Sequence, residues 1–338
     1  MNHESAFYER LNNKSIRCGL CPHECRIGEG GFGICGVRKN INNCLYSINY
    51  GTLTAENIDP IEKKPLYHFL PGSSTYSIAA PGCNFSCSFC QNWQISQIKK
   101  QNSERLAEMT RLTEPSEVVA AAKESGCKSI AFTYTEPTVF YEFMLEVSEI
   151  AQRAGIKTVM VSNGFIALEP LKRLCTVIDA FNIDLKSFSD DFYLKVCGGR
   201  LEPVLSTIEF IHSTKRWLEI TTLLIAGEND STEEITAVAS FIASIGKETP
   251  WHVSRFFPAY KFSSSTATPI KTFQIAIDAA ARHGLKHVYL GNISRSNVTR
   301  CPECSAPLIE RNGYSTCILS STPGICPFCA TEIEGVWR

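Results

Sequence analysis

The stretch TYSIAAPGCNFSCSFCQNW, residues 75–93, decides how this chain is read. It opens on a β-branched and aromatic run, Thr75–Ala80, with the character of a strand. Pro81-Gly82 then breaks the run into a loop carrying Cys83, Cys87 and Cys90 in a C-x3-C-x2-C spacing. Three thiolates are one short of the four that close a four-iron cluster. A centre held in this way keeps one coordination position for something other than protein, which is what separates catalytic from structural metal sites.

Outward from this loop, short apolar runs alternate with amphipathic stretches as far as about Gly284. The expected strands are Thr75–Ala80, Ser129–Tyr134, Lys157–Ser162, Ala180–Lys186, Trp217–Ile225 and Trp251–Phe256, with His287–Gly291 as a further edge run. Helices are expected over Ser116–Ser125, Val139–Ala154, Glu169–Thr176, Pro203–Ser213, Ser231–Ile245 and Ile270–His283. The fifth begins with Ser231-Thr-Glu-Glu234, the spacing of a reciprocal capping box. Repeated strand-then-helix units imply a parallel sheet covered by helices, and right-handed crossovers wind such units into an open sheet or a barrel. Cys83, Glu136, Asn163, Lys186, Thr222 and Arg255 each lie at or just past the end of a different strand. That clustering favours a barrel, whose active site is built from several strand ends at once. The expected fold is α/β, a partial (β/α)6 barrel over residues 74–293. A cysteine-rich segment and connector over 1–73 precede it, and a zinc-ribbon-like module over 294–338 follows.

The chain has 338 residues, 33 Lys and Arg against 34 Asp and Glu, and a net charge of −1. This length supports one large core, and the balanced charge offers no footprint for strong nucleic-acid binding. Met1–Lys14 has no signal-peptide core, and no run of ~18 apolar residues occurs, so a cytoplasmic protein without a membrane span is expected. Sixteen cysteines in a chain able to build a core read as reduced thiols, many of them metal ligands. Cys301-Pro-Glu-Cys304 and Cys326-Pro-Phe-Cys329 pair two knuckles at nearly zinc-ribbon spacing; zinc is the simpler ligand there, although a rubredoxin-like iron would use the same residues. Cys18, Cys21, Cys25 and Cys35 suit either zinc or a second iron–sulfur cluster. Cys44, Cys127, Cys175, Cys197 and Cys317 read as small buried hydrophobes.

The triad, with Phe89 just before its third cysteine, resembles the radical S-adenosylmethionine (SAM) superfamily. The resemblance implies a [4Fe-4S] cluster on Cys83, Cys87 and Cys90. SAM would chelate the open iron, and its reductive cleavage would give a 5′-deoxyadenosyl radical that abstracts hydrogen. Ser162-Asn163-Gly164 and Asp184-Leu185-Lys186 are similar to SAM-contacting motifs of pyruvate formate-lyase activating enzymes, which implies that Lys186 meets the SAM carboxylate. Where those enzymes carry G-G-E, this chain reads Tyr134-Thr135-Glu136, so Glu136 is the implied acceptor for the SAM ammonium, with a backbone held differently. His252 is the implied histidine contact to SAM from the sixth strand, and Phe89, Trp93 and Tyr134 are candidates for the adenine pocket.

A closer resemblance rests on Asp59–Gly72, Gly82–Phe85, Cys90–Trp93, Tyr134–Pro137, Pro250–Phe256 and Tyr289–Asn292, which look like the AmmeMemoRadiSam-system radical SAM enzymes. It implies a low-potential electron donor of flavodoxin or ferredoxin type and association with Memo-type and AMMECR-type proteins. It implies no particular substrate. The leading expectation is therefore a radical SAM oxidoreductase, the alternatives being a glycyl-radical-enzyme activase and a non-catalytic zinc-organised scaffold. Attachments around the barrel that could narrow its mouth favour a small or delivered substrate over a protein glycine loop.

Overall fold

The computed structural model describes residues 3–98, 111–320, 322 and 324–338. Its central sheet has eight strands: β1 (Ala55–Pro60), β2 (Ser74–Ala79), β3 (Ser129–Phe132), β4 (Lys157–Ser162), β5 (Ala180–Asp184), β6 (Trp217–Leu224), β7 (Trp251–Arg255) and β8 (Val288–Gly291). They follow one another across the sheet in chain order. From β2 to β8 all neighbours are parallel, and β1 runs antiparallel to β2. A doubly wound sheet reverses its strand order at a switch point. An order that never reverses winds in one direction under right-handed crossovers and curls into the expected partial barrel.

Six helices cover the sheet: α1 (Pro115–Glu124), α2 (Tyr141–Arg153), α3 (Leu168–Leu174), α4 (Glu202–Ser213), α5 (Thr232–Ile245) and α6 (Thr272–His283). The chemistry of the sequence sets their orientation. In α2, Met144, Val147 and Ala151 recur at helical spacing and are buried, while all four residues of β3 are buried, as a strand covered on both faces requires.

Two features depart from the expectations. The boundary expected between residues 73 and 74 falls between two hydrogen-bonded strands, because β1 joins the barrel sheet from the connector. Its sequence, AENIDP, is charged and ends in proline, and such a strand is tolerated at a sheet edge but has no apolar pattern to announce it. At the start of α5, Ser231 Oγ accepts from Glu234 N at 3.1 Å, yet the Glu234 carboxylate turns away to accept from Ser187 Oγ and from Phe188 N. Only half of the capping box forms.

The lower end of the barrel is plugged. Ile61, Leu66 and Phe69 of the connector pack with Ala131, Val159 and Ala180, and Asn182 Nδ2 donates to Pro65 O at 2.7 Å. The C-terminal strands β9 (Asn297–Arg300), β10 (Pro307–Asn312) and β11 (Ser315–Ile318) form an antiparallel sheet fastened to this plug. The buried Arg311 guanidinium donates to Tyr67 O at 2.6 Å and to Thr299 Oγ1 at 2.8 Å, and it lies over the Tyr67 ring. The N-terminal segment forms small antiparallel sheets and docks on α2 through Arg38, whose Nη2 meets both oxygens of Glu142 at 2.7 Å. Among the described residues no helix is long and apolar enough to cross a membrane.

Candidate active site

The loop after β2 carries the cysteine triad into a cavity of about 530 Å³ at the upper end of the barrel. Its lining brings together Cys83, Cys87, Cys90, Phe89, Tyr134, Glu136, Ser162, Asn163, Asp184 and Lys186, every residue implied for the SAM site except His252 and Trp93. The loop is held by backbone pairing: Ser86 N donates to Cys197 O and Ser88 N to Val196 O. Gly198 and Gly199 make this close approach feasible. A Cβ on Gly198 would stand 2.6 Å from Ser86 Oγ, and one on Gly199 would run into the Phe85 ring.

Three strand ends supply the remaining groups. At the end of β3, Glu136 is buried and accepts at Oε1 from Thr138 N, Thr138 Oγ1 and Ser162 Oγ. Among the described residues its Oε2 accepts from Asn163 N alone, at 2.8 Å, which leaves a lone pair on that oxygen. Burial pushes the Glu136 carboxyl above its ordinary value, against the pull of these hydrogen bonds. At the end of β4, Asn163 Nδ2 donates to Asn84 Oδ1 at 2.8 Å and stands 3.9 Å from Cys83 Sγ, which ties this strand end to the cysteine loop. At the end of β5, Lys186 Nζ pairs with Asp184 Oδ2 at 2.8 Å and faces the Phe89 ring. Burial alone would lower the Lys186 ammonium, but Asp184, Cys87 and Cys197 outweigh it and hold the group well above its usual value.

Tyr134 answers how a chain without the paired glycines turns at the end of β3. Its φ is +64°, a left-handed conformation that is costly for a bulky residue. The surroundings hold it there. Its hydroxyl donates to Asp59, Lys64 Nζ lies 4.3 Å from its ring centre, and Asn92 Nδ2 donates to its carbonyl at 2.7 Å. Asp59 also pairs with Lys63 and Lys64, and both lysines reach the cavity wall.

Three expectations are corrected. His252 does not reach this cavity, because its Nε2 is engaged by the buried Glu219 carboxylate at 2.6 Å. It lines a second cavity of about 560 Å³ with Arg255, Tyr67 and Asn292, whose wall also includes Lys63 and the Gly313-Tyr314 turn. Trp93 stacks on Tyr260 at 5.1 Å instead of lining the cavity. Thr222 is buried, accepting from Trp251 Nε1. Cys197 is as buried as expected of a small hydrophobe, yet its thiol lies beside Cys87 and draws that group below its ordinary value. No spacing rule links two cysteines this far apart in sequence.

The C-terminal cysteines form a different kind of site. Sγ atoms of Cys301 and Cys329, and of Cys304 and Cys326, lie 3.5 Å apart, and all four fall within 4.8 Å of one another. One tetrahedral zinc with bonds of about 2.3 Å would separate its thiolates by about 3.8 Å, so this donor set fits such an ion. The two knuckles repeat each other. Cys301 N donates to Ala306 O and Ser305 N to Cys301 O, just as Cys326 N donates to Thr331 O and Ala330 N to Cys326 O.

Comparison with known proteins gives these geometries a family. An uncharacterized protein of Methanocaldococcus jannaschii is 43% identical over 336 residues, covering 98% of both chains. The pyruvate formate-lyase-activating enzyme of Listeria monocytogenes is 22% identical over 175 residues, 48% of this chain and 67% of that protein. The crystal structure of Streptococcus suis SuiB bound to precursor peptide SuiA shares the fold at a TM-score of 0.50 and 12% identity, over 70% of this chain and 52% of that one. The radical SAM superfamily profile matches residues 77–239, from β2 into α5, the span that builds the cysteine cavity. With the triad on the loop after β2, residues 77–239 of the chain form a radical SAM superfamily domain.

Proposed function

We propose that this protein reductively cleaves SAM at a [4Fe-4S] cluster held by Cys83, Cys87 and Cys90, and removes a hydrogen atom from a substrate in the barrel mouth. The observation that carries the reading is the meeting of an incomplete thiolate set with Glu136, Asn163 and Lys186, from three separate strand ends, in one cavity. The donor set suits the cofactors: three thiols leave one iron open, and 530 Å³ lies within the range of small-molecule sites. When bound, the cluster and SAM would supply the electron transfer and the 5′-deoxyadenosyl radical.

In this reading the chain's own residues orient and neutralise. Lys186, kept protonated beside Asp184, meets the SAM carboxylate as a point cation. The remaining lone pair on Glu136 Oε2 accepts from the SAM ammonium. Asn163 and Ser162 fix that carboxylate and, through Asn84, the cysteine loop. Phe89 packs at the cavity wall. Zinc in the C-terminal quartet would close the last module. The electron donor is of flavodoxin or ferredoxin type, and Memo-type or AMMECR-type proteins are the proposed partners.

Reduced, cluster-loaded protein tests the binding half of this reading. Adding SAM should reshape its electron paramagnetic resonance (EPR) signal, and an unchanged signal at saturating SAM would refute the assignment. The similarity to an activating enzyme supports a second reading, installation of a glycyl radical on a protein partner. Against it, Lys63 and Lys64 of the connector already stand in the wall of the cysteine cavity, which favours a small or delivered substrate. A stable glycyl EPR doublet in candidate glycyl radical enzymes after incubation with SAM and reductant would favour the second reading instead.

A further inference from the structure

The three cysteine groups of this chain are spaced differently, and the difference separates their chemistries. Thiolates around one zinc stand about 3.8 Å apart, whereas a four-iron cluster spreads its thiolates over separate irons and holds them wider. Among the described residues, the C-terminal quartet is the one set of three or more cysteine, histidine or carboxylate ligand atoms within 4.8 Å of one another. Cys18, Cys21, Cys25 and Cys35 do not meet that spacing, and neither does the central triad.

The N-terminal four nevertheless converge. Cys18 N donates to Cys25 O at 3.0 Å across a two-strand turn, and Ile34 N approaches Cys25 Sγ at 3.5 Å. Glu24 N donates to Cys21 O at 3.1 Å, which turns the chain back beside Cys25, and Gly36 N donates to Gly33 O at 3.0 Å, which turns it at Cys35. The Arg38 guanidinium, anchored on Glu142, supplies positive charge beside Cys18 and Cys35. The group also rests against the catalytic loop. A Cβ on Gly82, whose φ is +105°, would stand 3.0 Å from Cys35 O, and His23 Nε2 lies 2.8 Å from Asn84 O.

We propose that Cys18, Cys21, Cys25 and Cys35 hold a second iron–sulfur cluster, not zinc, packed against the loop that carries the triad. The site brings four buried or half-buried thiols together at a spacing too wide for one tetrahedral ion. Counter-charge and backbone donors already face the sulfurs.

Metal counting on the full chain tests this without recourse to activity. The Cys83→Ala/Cys87→Ala/Cys90→Ala variant, reconstituted anaerobically, should keep roughly half of the wild-type iron and sulfide. It should also keep a reducible EPR signal, with one zinc per chain. An iron-free variant would overturn the proposal, whether it holds one zinc or two. Should that variant fail to fold, Cys21→Ser/Cys35→Ser on the intact triad reads the same question. It should lose roughly half of the iron and keep its zinc, and full retention of iron would overturn the proposal. The proposed function fails separately: wild type and triple-alanine variant would then carry equal iron.

Discussion

Glu136 and Glu219 are two buried glutamates on neighbouring parts of one barrel, and each accepts four hydrogen bonds. Their surroundings set them apart. Glu219, low on β6, accepts two bonds at each oxygen, from His68 N, Trp217 Nε1, Tyr67 N and His252 Nε2. Burial would raise this carboxyl, but His252 and the Trp217 hydrogen bond outweigh burial and hold it below its ordinary value. Glu136, at the mouth, has three of its donors on one oxygen, and burial wins. A saturated carboxylate beside histidine is a structural joint. One with a lone pair left toward a cavity has capacity for a ligand. The molecule divides into a mouth whose residues the proposed chemistry would use and a floor whose residues are committed to stability, the division that barrel folds generally make.

The largest effect that would sharpen this division is at the mouth. Cys83→Ala should abolish the central cluster's absorbance and all SAM cleavage while leaving the C-terminal zinc and the urea midpoint near wild type. A large drop in midpoint would erase the distinction. At the floor the expectation inverts. Glu219→Ala strands His252 and two backbone N–H groups in the core, and breaking a buried pair of this kind costs about 3–5 kcal/mol. SAM affinity measured by equilibrium dialysis should not change; a large loss of affinity would move Glu219 into the site.

Acid should act on the floor as well. Burial holds the His68 ring at about 4 against 6.5 when exposed, while Tyr289 OH and Glu334 O occupy its two nitrogens. A depressed folded value means that the unfolded chain takes up the proton first. Stability from this group is full above pH 6.5 and is lost as pH falls through about 4, by roughly 3 kcal/mol in total. Comparing urea unfolding of wild type and His68→Gln from pH 7 to 5 isolates the effect. Equal slopes in the two proteins would count against a neutral buried ring. The smallest effect is at the mouth: Lys186→Ala should weaken SAM binding by about one to two decades, the loss of ~1.5–3 kcal/mol of charge-assisted hydrogen bonding, with the cluster spectrum intact. Unaltered SAM affinity would remove Lys186 from its role.

Much of the mouth could be read from sequence because it is written in local patterns. Cys83, Cys87 and Cys90 sit on one short loop, and Asn163 and Lys186 end strands whose apolar runs mark them. The floor is assembled from distant pieces, and local pattern does not reach across them. Tyr67 and His68 come from the connector, Arg311 from the last module, and Glu219 from the middle of β6. One signal was available. A lone acid within the apolar strand WLEITTLL must find a partner once buried, and His252 on the adjacent strand was a candidate. The left-handed Tyr134 turn and the charged edge strand β1 depend on Asp59, Lys64 and the sheet edge, none of which a window of sequence contains.

The central claim is that the mouth cleaves SAM, and one assay addresses it directly. Anaerobically reconstituted protein, with the central cluster complete by iron and sulfide analysis, is incubated with SAM and dithionite, and 5′-deoxyadenosine is quantified by mass spectrometry. The expected result is product that requires reductant and disappears in Cys83→Ala. A fully loaded protein that yields no 5′-deoxyadenosine with any low-potential reductant would contradict the account.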